Sequence, residues 1–160
     1  MNDFQIRELL EEVKDPEVPV LSILDLGVVR SFSIKENIVD IVLTPTYSGC
    51  PAMQVIEDDI VSILKNNGVE KVNIEMVLAP AWTTDWITEK GKQQLIEFGI
   101  APPEKSSVDK SSITGDARFI ACPRCKSENT EMLSQFGSTA CKALYRCKDC
   151  LEPFDYFKCL

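Results

Sequence analysis

Leu43-Thr44-Pro45-Thr46-Tyr47-Ser48-Gly49-Cys50-Pro51-Ala52 is the stretch on which the reading of this chain turns. The apolar run before it, Ile38, Val39, Ile41, Val42 and Leu43, reads as a strand that stops at Pro45, because proline has no N–H to offer a ladder. After it, Pro51 suits the first position of a helix, and Met53, Ile56, Ile60, Ile63 and Leu64 repeat at helical spacing on one face. Such a strand-to-helix turn puts Cys50 at the helix N-cap. Backbone N–H groups and the helix dipole there favour the thiolate, the form that acts as nucleophile or metal ligand. The plainer reading is a small buried cysteine at a tight turn.

Towards the N-terminus, Asp3 or Asn2 caps a helix whose residues Ile6, Leu9, Leu10 and Val13 share an apolar stripe. Lys14-Asp15-Pro16-Glu17-Val18-Pro19 breaks it, since a residue before proline is pushed out of the helical region. Ser22 to Asp25 makes a single turn closed by Gly27. Asp15, Glu17 and Asp25 therefore fall in irregular backbone, where carboxylates serve as solvated caps or as site residues. Val28–Ile34 alternates as a first strand, and Lys35-Glu36-Asn37 turns it into the antiparallel run Ile38–Thr44.

Towards the C-terminus, the helix from Pro51 ends near Gly68, and Val69–Leu78 follows as a third strand. Ala79–Trp86 leads into a last helix closed by Gly99, with Trp86, Ile87, Leu95, Ile96 and Phe98 available to pack on the sheet. The order αββαβα over residues 1–100 is an α+β domain: a three-stranded sheet with its helices on one face. Residues 101–117 change to Ser, Lys, Asp and Pro and read as a solvated linker. From 118 to 160 the organising signal is Cys122-Pro123-Arg124-Cys125, then 21 residues, then Cys147-Lys148-Asp149-Cys150. Two such knuckles close a tetrahedral four-thiolate site and make the segment a small zinc ribbon, with zinc as the structural metal. Rubredoxin-type iron uses the same spacing, so iron stays open as the alternative. Cys141 and Cys159 stand as substitutes for one of the four or as neighbours of the site.

Composition narrows the chemistry. The 160 residues include seven cysteines and no histidine. Cysteines in Cys-x-x-Cys pairs without a secretory signal argue for metal ligation in a reducing, cytoplasmic setting. The absence of histidine removes His-dependent triads and His-ligated di-iron sites, and with them the expectation of a catalytic oxygenase subunit. Residues 1–105 carry net charge −9 and 106–160 carry +1, giving −8 in all. An acidic body repels phosphate backbones, so nucleic acid is not an expected partner and a basic protein surface is. No apolar run is long enough to span a membrane.

With these pieces in place, the chain resembles a known family. Asp15-Pro16-Glu17-Val18-Pro19, Asp25-Leu26-Gly27-Val28-Val29 and Leu43–Ala52 are similar to the signatures of the metal–sulfur cluster assembly domain shared by cytosolic iron–sulfur assembly factors and bacterial SufT proteins. Ala79–Trp86, Phe136–Cys147 and Glu152–Cys159 resemble, more narrowly, the PaaD (PaaJ) family of the multicomponent phenylacetyl-CoA epoxidase system. The resemblance implies an accessory protein, not an enzyme, that matures iron–sulfur or di-iron components in phenylacetate catabolism. It implies Asp15, Glu17, Thr44 and Cys50 as site residues of the first domain and Cys122, Cys125, Cys147 and Cys150 as metal ligands. The oxygenase and reductase subunits of the epoxidase and the iron–sulfur assembly machinery would be its partners.

A cluster carrier needs a thiolate that binds iron and lets it go. One cysteine cannot hold a cluster, so a transient iron–sulfur centre on Cys50 would borrow ligands from a second copy in a homodimer, a small thiol or the target. The rival expectation is a scaffold subunit of the oxygenase that binds zinc and no cluster.

Overall fold

A computed structural model describes residues 1–103 and 120–158. Most of the expected linker, and Cys159, lie outside the described residues. The chain divides into two compact units, Met1–Trp82 and Thr83–Leu160.

In the first unit, α1 (Asp3–Glu12) begins at Asn2, whose side chain accepts the Gln5 N–H while the Gln5 side chain accepts the Asn2 N–H. This reciprocal capping box satisfies two otherwise orphaned donors. Ile6 and Leu10 are fully buried on its inner face. The break after α1 is held by Asp15: its Oδ1 accepts N–H groups from Glu17 at 2.7 Å and Val18 at 2.9 Å. Ser22 then caps a turn, accepting the Asp25 N–H at 3.0 Å and donating its hydroxyl to Asp25 Oδ2 at 2.9 Å.

β1 (Val29–Lys35) and β2 (Ile38–Leu43) form an antiparallel hairpin in which Lys35 faces Ile38. The two turn residues, Glu36 and Asn37, have φ of 50° and 65°, the left-handed pair whose twist matches that of the strands. α2 (Ala52–Asn66) crosses over and returns the chain as β3 (Lys71–Met76), parallel to β2, so the sheet order is β1-β2-β3. Val39, Ile41 and Leu43 on β2 and Ile56, Ile60 and Leu64 on α2 are all buried, which is the layer that period-two and helical patterning implied. Trp82 is buried, and its indole N–H donates to the Leu26 carbonyl at 3.0 Å.

The second unit differs from expectation at its start. A 3-10 turn (Thr84–Trp86) and α3 (Glu89–Phe98) fall in this unit, and Phe98 is 60% exposed. The reason is the short strand after the helix: Gly99 caps α3 at φ 89°, and Ile100–Ala101 runs on as β4, parallel to β7 (Pro153–Phe157). Ala101, read from composition as linker, is therefore a buried strand residue. β5 (Thr130–Ser134) and β6 (Lys142–Cys147) complete a four-stranded sheet in the order β4-β7-β6-β5. Its core gathers Ala101, Ile120, Ala143, Tyr145, Phe154 and Tyr156 around Cys122 and Cys147. Tyr145 stacks on Phe154 and meets Tyr156 edge-on, with centroids 5.8 Å apart in both pairs.

Candidate metal centre and thiol site

The metal centre is built from two turns of the same design. Cys122-Pro-Arg-Cys125 and Cys147-Lys-Asp-Cys150 are each followed by a residue with positive φ, Lys126 at 66° and Leu151 at 65°, which turns the chain sharply after the second cysteine. Each turn contributes one buried and one exposed cysteine. The four Sγ atoms lie within 4.8 Å of one another. Cys122 Sγ is 3.7 Å from Cys150 Sγ, and Cys125 Sγ is 3.5 Å from Cys147 Sγ. A tetrahedron of thiolates at about 2.3 Å from zinc has edges of about 3.8 Å, so the donor set fits the ion.

The surroundings favour ionised sulfur at Cys147, whereas the neighbouring thiols and burial push Cys125 up and Cys150 up to about 12. N–H groups of Cys150 and Asp149 point at Cys147, and together with neighbouring thiols they pull its pKa down to about 7. The turns are braced to each other. Asp149 accepts from the Ser127 hydroxyl and from Asn129 Nδ2, which holds its carboxyl below the usual range, and Lys148 N–H donates to the Asn129 carbonyl at 2.8 Å. Cys141 stands apart from the four: it is buried at the entrance to β6, with its sulfur 3.0 Å from Thr139 Oγ1.

In the first unit the structure brings Glu17 and Cys50 together through a side chain that the sequence reading did not single out. Tyr47 donates its hydroxyl to Glu17 Oε1 at 3.1 Å, and both Tyr47 and Thr46 act on the Cys50 sulfur, each favouring its ionised form. An aromatic residue in a turn otherwise made of Thr46, Ser48 and Gly49 was the available signal. Asp15 sits two residues from Glu17 and shapes that loop through its two accepted N–H groups. Thr44, at the end of β2, is buried, and its Oγ1 has no hydrogen-bond partner among the described residues.

Two expectations about Cys50 change. The capping position of α2 is Pro51, in helical conformation and without a side-chain cap, so Cys50 precedes the N-cap. The Ala52 N–H does reach its sulfur, yet burial pushes the thiol's pKa up, and the Glu17 charge adds to that shift against the lowering contacts of Ala52, Tyr47 and Thr46. Cys50 is 8% exposed. The helix terminus was correctly located, but desolvation outweighs its field and the resting group is a thiol.

Comparison with known proteins agrees with this division. The profile of the family described as iron-sulfur cluster assembly protein matches residues 4–76, and that of the PaaD zinc beta ribbon domain matches residues 106–158. A protein from Escherichia coli K12, provisionally named as a subunit of 1,2-phenylacetyl-CoA epoxidase, is 47% identical over 156 residues, covering 98% of this chain and 92% of its own. An Fe-S protein maturation auxiliary factor from Porphyromonas gingivalis is 32% identical over 92 residues, covering 56% of this chain and 87% of its own. Among solved structures, a domain of unknown function from Bacillus anthracis superposes with a TM-score of 0.55 at 29% identity, covering 58% of this chain and 90% of that one. The chain thus belongs to the PaaD family, in which an iron–sulfur cluster assembly domain precedes a zinc β-ribbon.

Proposed function

We propose that this protein is a non-catalytic maturation factor of the phenylacetyl-CoA epoxidase system, handing an iron–sulfur or iron centre to a component of that oxygenase. The observation that carries the reading is the convergence of Cys50, Tyr47 and Glu17 within a domain of the iron–sulfur cluster assembly family. In this reading the cluster is cargo. Cys50 gives up its proton and supplies one soft ligand, Glu17 is a hard ligand at hand, and Thr44 offers a buried hydroxyl with unused hydrogen-bonding capacity. An incomplete ligand set makes the complex transient, since the client's own cysteines complete coordination and take the cargo by ligand exchange. The ribbon, held by zinc on Cys122, Cys125, Cys147 and Cys150, serves to dock the client.

The scaffold reading, zinc without cargo, is favoured by one observation: the resting Cys50 is nearly buried and holds its proton. Co-expression separates the two. With Cys50→Ala in place of the native chain, the carrier reading expects oxygenase and reductase subunits poor in iron and sulfide. Full metallation and activity would leave the scaffold.

A further inference from the structure

Resting on the reading of Cys50 as the transfer ligand, we propose that Tyr47 is the positioning residue that governs access to this thiol, its hydroxyl latching the 46–49 turn onto Glu17. The two sides of the latch are unequal. Glu17 sits on a braced loop, where Asp15 Oδ1 grips the N–H groups of Glu17 and Val18, and Val18 N–H and Leu21 N–H close further turns onto Asp15 and Val18 carbonyls at 3.2 and 2.9 Å. The Tyr47 side is lighter. Ser48 and Gly49 face solvent, and Thr46 and Tyr47, four and three residues before Cys50, are half-buried. Gly49 has φ of 76° with nothing within 4 Å of where a Cβ would stand, so the turn has a left-handed pivot in open space next to the cysteine. When the latch lets go, the turn is therefore the part that moves.

The chemistry of the phenol fits this role. It has one proton, and the geometry spends it on the Glu17 carboxylate at 3.1 Å. Closed, the latch holds one oxygen of the carboxylate and keeps the turn against a cysteine that is 8% exposed. Open, it presents a carboxylate and a thiol together to an entering cation, a pairing of hard and soft ligands suited to iron.

The test reads access directly and needs no iron. Zinc-loaded full-length protein is alkylated with iodoacetamide across a range of pH, so that each rate is expressed per thiolate, and Cys50 is followed in the tryptic peptide 36–65, where it is the sole cysteine. Tyr47→Phe, which keeps the ring, and Glu17→Ala, which removes the acceptor, are each expected to label about tenfold faster than the native chain, the weight of one hydrogen bond to a charged group. The double variant is expected to gain nothing more, because both changes break the same contact. Because the rates are compared per thiolate, the changes in ionisation that follow from losing the phenol's contact or the Glu17 charge drop out, and access alone is read. Unchanged or slower labelling in the single variants, or additive gains in the double one, would overturn the latch. Cargo delivery is judged separately by Cys50→Ala, so either conclusion can fail without the other.

Discussion

Removing zinc from the full-length protein is expected to unfold the ribbon unit while leaving the β1–β3 unit folded. Structural zinc contributes about 10–16 kcal/mol to small domains at neutral pH, against about 5–15 kcal/mol for the net stability of a whole domain. The ribbon's apolar cluster cannot replace it. Two of its eight members, Cys122 and Cys147, are themselves ligands, and the large side chains are Ile120, Tyr145, Phe154 and Tyr156. At about 1.5–3 kcal/mol each, these four supply no more than the metal does, before any cost of ordering the chain. Emptying the site also leaves sulfurs 3.5 and 3.7 Å apart, and two thiolates at that range repel by about 4–5 kcal/mol at an effective dielectric constant of 20. They take up protons or move apart. The assay is stepwise chelation with zinc release read by a chromophoric indicator, alongside near-ultraviolet circular dichroism of the Tyr145–Phe154–Tyr156 group and backbone amide spectra. Loss of the tyrosine signal in step with zinc, with the amides of Ile38–Leu43 unmoved, is the expected result. Native ribbon signals in protein freed of metal would refute the reasoning.

Three further outcomes rest on particular contacts. Ile56→Ala removes a fully buried α2 side chain from the first sheet's core and is expected to cost about 2–5 kcal/mol, seen as a lower urea midpoint with zinc content unchanged. Gly137→Ala would place a Cβ 2.9 Å from Asp155 Oδ1 and 3.4 Å from the Lys142 carbonyl, so a destabilisation of about 1–3 kcal/mol is expected in thermal melts, partly reversed by adding Asp155→Ala. Cys50 binds its proton more tightly in the folded than in the unfolded chain. The stability it contributes is thus complete below the ordinary thiol value of about 8.5 and lost as pH rises through the folded value. Unfolding free energy in Cys50→Ala should consequently fall less than in the native chain on passing above that range.

How much of this could be read beforehand depended on what kind of signal each element carried. The ribbon's ligands were legible because metal geometry fixes their spacing: Cys-x-x-Cys puts two sulfurs on one turn whatever the rest of the chain does. α1, β2 and α2 were legible because Ile6 and Leu10, Val39 and Ile41, and Ile56 and Ile60 repeat at the periods of their elements. The strand that follows α3 was not. β4, at Ile100–Ala101, is a two-residue strand too short to show periodicity. β7 was missed as well, because Pro153 at its start and the aromatic alternation of Phe154 and Tyr156 were read only as a family-like tail. At the thiol site, Cys50 and Glu17 were named in advance, but Tyr47 was not, since a contact across 30 residues leaves no local pattern. The thiol's raised pKa was also out of reach, because a helix terminus is visible in sequence and burial depth is not.

The pairing of β4 with β7 bears on how the C-terminal half should be cut out for separate work. A fragment begun at the ribbon profile's first residue, 106, would contain all four ligands yet omit Ile100 and Ala101, stripping β7 of its outer neighbour. The bared amides and carbonyls beside Asp155 and Tyr156 would then be open to pairing with another copy, so such a piece should self-associate even when fully loaded with zinc. Begun at Thr83, the excised half brings its own edge strand with it.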